Sequence, residues 1–158
     1  MGRKLDKLDI GLLACLQENN LQTADRLAER VGRSSSAVAR RLRRLRATGA
    51  VAADVSLISE DAAGHPLSAL IHIQLERHAP QEGDRLRRRL AASPNVQLCL
   101  DISGAFDIML LVVAAGMDDY NAFTDAYIEH HPAVRRFETY FVKKRVKATL
   151  AVPLDPRL

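Results

Sequence analysis

Cysteine is scarce in this chain, with two in 158 residues. Cys15 lies in a stretch of helical apolar spacing and Cys99 in an apolar run, and neither has a second Cys or a His at metal-ligand or redox spacing. Both therefore read as reduced core residues, with no metal and no cofactor expected. Long hydrophobic runs are also missing. The longest uncharged apolar stretch, residues 108–117, is too short for a bilayer core of about 30 Å. The opening MGRKLDKLD has no apolar signal core. The expectation is a cytoplasmic protein with no membrane association. Acid–base catalysis needs titratable groups converging on a pocket, and no such cluster stands out. Asp101 and Asp107 come nearest, but both flank a turn where capping explains them. His72 and His78 read as surface or interface residues. No catalytic residue is assigned, and the chain is read as a non-enzyme.

Acidic residues are short in the N-terminal third. Residues 1–58 hold 11 Lys/Arg against 6 Asp/Glu, a net of +5, whereas residues 59–158 hold 12 against 13, a net of −1. Such asymmetry fits a polyanion-binding module joined to a near-neutral one. The composition breaks at residues 59–66, SEDAAGHP, small and turn-forming. This gives a DNA-binding domain over 1–58, a linker over 59–66 and a second domain over 67–158.

Within the first domain, residues 31–51 read VGRSSSAVARRLRRLRATGAV. Ser34 is a good N-cap and Gly49 closes the far end, so the residues between form a helix of about four turns. Val38, Leu42 and Leu45 fall at i, i+4 and i+7 as one apolar stripe. Ser36, Arg40 and Arg43 lie opposite, flanked by Arg33 and Arg44. Short polar side chains followed by arginines suit a major groove, where small residues approach base edges and guanidiniums reach phosphates and guanines. Thr23 caps a preceding helix through Val31, which gives helix-turn-helix spacing. Before it, Asp6 and Asp9 form an acidic capping box for a first helix with Leu8, Leu12, Leu13 and Leu16 inward. After Gly49, AVAADVSLI fits a short β segment or wing.

The second domain alternates between two periods. Residues 67–76 have the twofold alternation of a half-exposed strand, residues 81–92 read as a helix, and 96–102 and 108–113 form a hairpin around the turn at 103–107. A helix capped near Asp118 follows, then a strand over 134–142 and a short fifth strand over 146–152. The order β-α-β-β-α-β is the ferredoxin-like split arrangement, an antiparallel sheet with two helices on one face. The fold class is α+β.

With both halves read, the chain resembles the Lrp/AsnC (feast/famine) transcriptional regulators over nearly its whole length. The resemblance rests on LDKLD, LAERVGRS at 27–34, VARRLRRL with TGAV at 38–51, Gly64, LSALIHIQL, GAFD at 104–107, RFETYFV at 136–142 and KRVKATLAVPL. It implies a winged helix-turn-helix DNA reader on a RAM-type effector module that assembles as dimers, with tetramers or octamers built from them. The chain departs from the family in having Phe106 at the turn, where a tyrosine is common, and Phe137 in place of the first threonine of a TxT.

Residues and resemblance together assign Ser35, Ser36 and Arg40 to base edges and Arg41, Arg43 and Arg44 mainly to phosphates of duplex DNA, with Ser34, where the helix starts, counted among the DNA-binding residues. Arg41, at the edge of the apolar seam, has bracing of the domain as its other role. A small amino acid or related effector is expected at a subunit interface, contacted by Gly104, Asp107 and Thr139, with turn geometry and hairpin capping as the plain alternatives. Leu70, Met109, Leu111, Val113 and Tyr140 form a second apolar sheet face that a partner subunit would cover. Two other functions share this architecture: a sirohaem-decarboxylase-like enzyme, and an effector-independent architectural DNA-binding protein. The apolar hairpin LCLDISGAFDIMLLVV lacks the histidine- and arginine-rich stretch of the former.

Overall fold

In the computed structural model of the chain, which describes residues 5–76, 78 and 80–155, capping side chains set the first three elements. Asp6 accepts the Asp9 N–H at 2.9 Å and Asp9 accepts the Asp6 N–H at 3.1 Å, a reciprocal box that opens α1 (Lys7–Glu18). Thr23 opens α2 (Ala24–Val31), and Gly32 ends it at φ 64°, a left-handed angle that only glycine adopts without steric cost. Ser34 opens α3 (Ser35–Ala47) by accepting the Ala37 N–H at 3.4 Å. Leu12, Leu27, Val38 and Leu45, none more than 1% exposed, fill the space between the three helices. Each such side chain contributes about 1.5–3 kcal/mol by leaving water.

The chain divides into two units, one running through Ser56 and resuming at Ala148, the other from Leu57 to Lys147. The second domain expected over 67–158 therefore gives up its C-terminal stretch to the helical unit. No strand forms at residues 146–152. Instead the Gln17 amide donates from Nε2 to the Val152 carbonyl at 3.0 Å and accepts the Val152 N–H on Oε1 at 2.7 Å, while Leu154 packs on the three-helix core. A side-chain amide offers the same donor and acceptor as a strand neighbour, so this backbone is satisfied on α1. The β segment or wing expected after Gly49 is also absent from residues 51–58. There Asp54 accepts from Arg46 Nε at 2.6 Å and Asn20 Nδ2 at 2.8 Å, which holds the segment to the helices.

In the other unit, β1 (Leu67–Leu75), α4 (Pro80–Ala92), β2 (Val96–Asp101), β3 (Ile108–Ala114), α5 (Met117–Thr124) and β4 (Val134–Phe141) give the β-α-β-β-α-β order. Pro80 is the first residue of α4, where its missing N–H costs nothing. α5 opens at Met117 without a side-chain cap, and it is Asp119, not Asp118, that accepts a nearby N–H, from Ala115 at 2.9 Å. One π-helical turn, Asp125–Glu129, extends α5.

The four strands form one antiparallel sheet in the order β2-β3-β1-β4. Ala69, Ile71 and Ile73 stand in register with Val112, Leu110 and Ile108 and pack under Leu86, Leu90, Phe123 and Ile128. On the opposite face, Leu70 and His72 of β1 pair with Leu111 and Met109 of β3 and with Tyr140 and Glu138 of β4. Leu98 and Leu100 of β2 remain 39% exposed there and Tyr140 51%. Val113, assigned to this face from the sequence, is already buried within the chain.

Candidate nucleic-acid interface and effector region

The turn between α2 and α3 is three residues long, and its geometry follows from two of them. Left-handed Gly32 lets the Arg33 N–H reach back to the Ala28 carbonyl at 3.1 Å, and Ser34 then restarts the helix. α3 consequently buries Val38, Leu42 and Leu45 and turns Ser36, Arg40 and Arg43 to solvent. Ser34 is also exposed, with its hydroxyl 3.4 Å from that of Ser36, while Ser35 is half-buried. Arg40 and Arg43 have no hydrogen-bond or ion-pair partner among the described residues.

Arg41 and Arg44 are placed differently from the phosphate role read from the sequence. Both guanidiniums turn toward α1, onto an Asp9 side chain that is 2% exposed. Arg41 Nη1 donates to Asp9 Oδ1 at 2.8 Å and also bonds Asp6, and Arg44 Nη2 lies 2.5 Å from both Asp9 oxygens. Burial pushes the Asp9 carboxyl up, but the Arg41 hydrogen bond, the Asp6 N–H and the Arg41 charge outweigh it and hold the group below its ordinary value. Arg46, which the sequence reading left without a role, pairs with Asp54. The signal for Asp9 was present in part, as an acidic N3 position facing an arginine-rich helix. Its partners, however, lie 32 and 35 residues away, beyond any local pattern.

The three residues assigned to an effector do not converge within one chain. Gly104 sits at φ 141° in an exposed turn. Asp107 fastens that turn to β1: its N–H donates to the Ile73 carbonyl at 2.9 Å, and its Oδ2 accepts the Leu75 N–H at 2.7 Å. The carboxylate thus anchors the turn to the end of β1, while the Asp107 carbonyl closes the hairpin itself by accepting the Ile102 N–H at 2.9 Å, and Oδ1 has no partner among the described residues. Thr139 lies on β4, beyond β1, with its hydroxyl 2.5 Å from that of Tyr120 on α5. Beside the turn, on the open sheet face, Phe106 packs against His72 at 5.3 Å and lies under the Arg136 guanidinium at 4.9 Å. Arg136 continues to Gln74 and Glu138, and Glu138 to the Tyr140 hydroxyl at 2.6 Å. This chain of contacts joins residues from three elements, and sequence spacing gave no sign of it.

Comparison with known proteins decides the family. Residues 5–51 match the winged helix-turn-helix DNA-binding family, and residues 68–152 match the Lrp/AsnC ligand binding domain. The chain belongs to the Lrp/AsnC family. It is 37% identical over 152 residues to an uncharacterised HTH-type transcriptional regulator of Sinorhizobium fredii, covering 96% of this chain and 90% of that one. The crystal structure of a transcriptional regulator from Neisseria meningitidis in complex with L-Met superposes with a TM-score of 0.88 at 30% identity, over 98% of this chain and all (100%) of the other. An AsnC family transcriptional regulator from Agrobacterium tumefaciens gives a TM-score of 0.90 at 26% identity, with 98% and 100% covered. The protein is accordingly an HTH transcriptional regulator whose second domain is of the family's ligand-binding type. Among the described residues no helix is long and apolar enough to cross a membrane.

Proposed function

We propose that α3 enters the major groove of duplex DNA and that two copies of the chain, joined through the open sheet face, read a roughly palindromic operator. Ser34 starts the helix at the DNA, Ser35, Ser36 and Arg40 approach base edges and Arg43 holds phosphate. Arg41 and Arg44 support the helix from behind. The observation that carries this reading is the exposed stripe of Ser36, Arg40 and Arg43, whose two guanidiniums have no partner among the described residues, on the second helix of a helix-turn-helix. Selection of bound duplexes from a random library tests it. The expected product is a two-fold symmetric site with half-sites about one helical turn, or a multiple, apart. An asymmetric or sequence-neutral pool would overturn it.

The effector in this reading is a small amino acid at a subunit interface beside the turn at 103–107. The family's ligand-binding domain and the L-Met complex of the N. meningitidis regulator support it. The unpartnered Oδ1 of Asp107 accepts from the ammonium and the backbone of the Gly104 turn donates to the carboxylate. Since Thr139 is held by Tyr120, its contribution is to the α5 side of the sheet. To act on transcription, the ligand must favour one assembly or DNA-bound state by about 1–3 kcal/mol. Calorimetry against the twenty amino acids checks this, with Asp107→Asn as the control, because Asn keeps an acceptor for the Leu75 N–H and removes only the charge. Binding lost in the variant supports the site, undiminished binding moves it elsewhere, and silence from the wild type removes it.

A further inference from the structure

α3 carries five arginines, Arg40, Arg41, Arg43, Arg44 and Arg46, and three of them are neutralised inside the helical unit. Asp9 takes Arg41 and Arg44, and Asp54 takes Arg46. The Asp9 site is costly by construction. Its carboxylate is 2% exposed, and a buried charge is retained only with close, hydrogen-bonded partners. Here the partners come from two directions. The Asp6 N–H at 3.1 Å fixes the carboxylate to the start of α1, and two guanidiniums one helical turn apart fix it to α3. Aliphatic residues of similar volume would pack these helices without any ion cluster.

The capping box at the start of α1 needs only one acceptor oxygen, which a neutral side chain also offers, and the arithmetic of phosphate binding gives the charge a role of its own. Non-specific affinity for a duplex scales with the number of cations available to phosphates, at a salt slope of about 0.9 per phosphate. An α3 with five free guanidiniums would hold any DNA tightly. One with two free discriminates by its base contacts.

We propose that Asp9 is a specificity-determining positioning residue, which withholds Arg41 and Arg44 from the DNA backbone and locks α3 in the orientation that presents Ser36 and Arg40. This inference rests on the reading of α3 as the groove-contacting helix. It assigns Asp9 no contact with DNA.

The test measures fluorescence anisotropy with two labelled duplexes, one carrying the selected site and one unrelated, over a series of salt concentrations. For Asp9→Asn, affinity for the unrelated duplex rises and its salt slope steepens by one to two phosphate equivalents, as the released guanidiniums find phosphates. The ratio of specific to non-specific affinity falls roughly tenfold, about the effect of one mismatched base pair. Arg44→Gln, in which Asp9 is untouched, leaves the slope on the unrelated duplex at its wild-type value, whereas Arg43→Gln flattens it. Equal weakening on both duplexes by Asp9→Asn, with slopes unchanged, would show a merely structural residue and overturn the proposal. Flattening by Arg44→Gln to the extent seen for Arg43→Gln would overturn it as well. Should Asp9→Asn fail to fold by circular dichroism, the Arg44 and Arg43 arm decides alone. A wild-type protein that shows no preference between the duplexes would instead count against the DNA-reading role of α3, a separate outcome.

Discussion

Asp9, whose side chain is 2% exposed, is one of the carboxylates of the helical unit, with Asp6 and Asp54, that an arginine holds below the ordinary value. The Arg41 hydrogen bond holds the Asp6 carboxyl below its ordinary value of 3.8, and Asp9 is also lowered, because burial, which raises it, is outweighed by Arg41 and the Asp6 N–H. A carboxyl lowered by folding stabilises the native state above its unfolded value, and that contribution disappears as pH falls through the folded one. Helical circular dichroism during urea unfolding should therefore show the wild type losing stability below about pH 3.8. Asp9→Asn should start lower and depend less on pH, and parallel curves for the two proteins would contradict this. Asp107 raises a different question at the same scale. From sequence it had two roles open, effector acceptor and hairpin cap, because a turn aspartate serves both. Oδ2 instead accepts the Leu75 N–H at 2.7 Å, which ties the turn to β1, and the Asp107 backbone carbonyl closes the hairpin. Asp107→Ala should cost about 1 kcal/mol in urea unfolding, whatever becomes of the effector, while Asp107→Asn should cost less.

Elements whose boundaries depend on their own residues were legible in the chain. Asp6, Thr23 and Ser34 open three helices where capping chemistry put them; twofold alternation located β1 and β2, and β3, read as the partner of β2 across the turn, and β4 also lie within a few residues of their expected bounds. Residues 146–152 alternate as well, in Val146, Ala148, Leu150 and Val152, yet alternation marks only a willingness to be extended. A strand also needs a free edge, and here the Gln17 amide offered the backbone another partner. The docked segment supplies Leu154 to the three-helix core, so it belongs to the DNA-binding unit in stability as well as in space. Gln17→Ala removes both hydrogen bonds and should lower stability by about 1–2 kcal/mol, with loss of amide-exchange protection at Val152. Unchanged protection would mean that the tail is not held on α1. The pairing of Arg41 and Arg44 with Asp9 was illegible for a related reason. Composition counted the arginines on α3, but only tertiary packing says which of them are already spent.

The whole molecule is organised by what its two units leave uncovered. The sheet unit buries one face under α4 and α5 and leaves Leu98, Leu100 and Tyr140 substantially exposed on the other, beside Leu70 and Leu111. An apolar face of this kind calls for cover, and in the proposed dimer a second copy would supply it with two-fold symmetry. Light scattering at micromolar concentration should give a dimer or larger assembly, and Leu98→Glu with Leu100→Glu should shift it to monomer without unfolding. A monomeric wild type would remove the basis for palindromic recognition. The helical unit leaves Ser36, Arg40 and Arg43 uncovered, and this stripe is the centre of the account. Its most direct test is the affinity of Arg40→Ala and Arg43→Ala, singly and together, for the selected operator at moderate salt. Arg40→Ala should cost about 1–3 kcal/mol and relax the preference at one base position, while Arg43→Ala should weaken all sequences and reduce the salt slope by about 1. Operator affinity and salt slope unaltered in the double variant would contradict the assignment of α3 to the DNA groove.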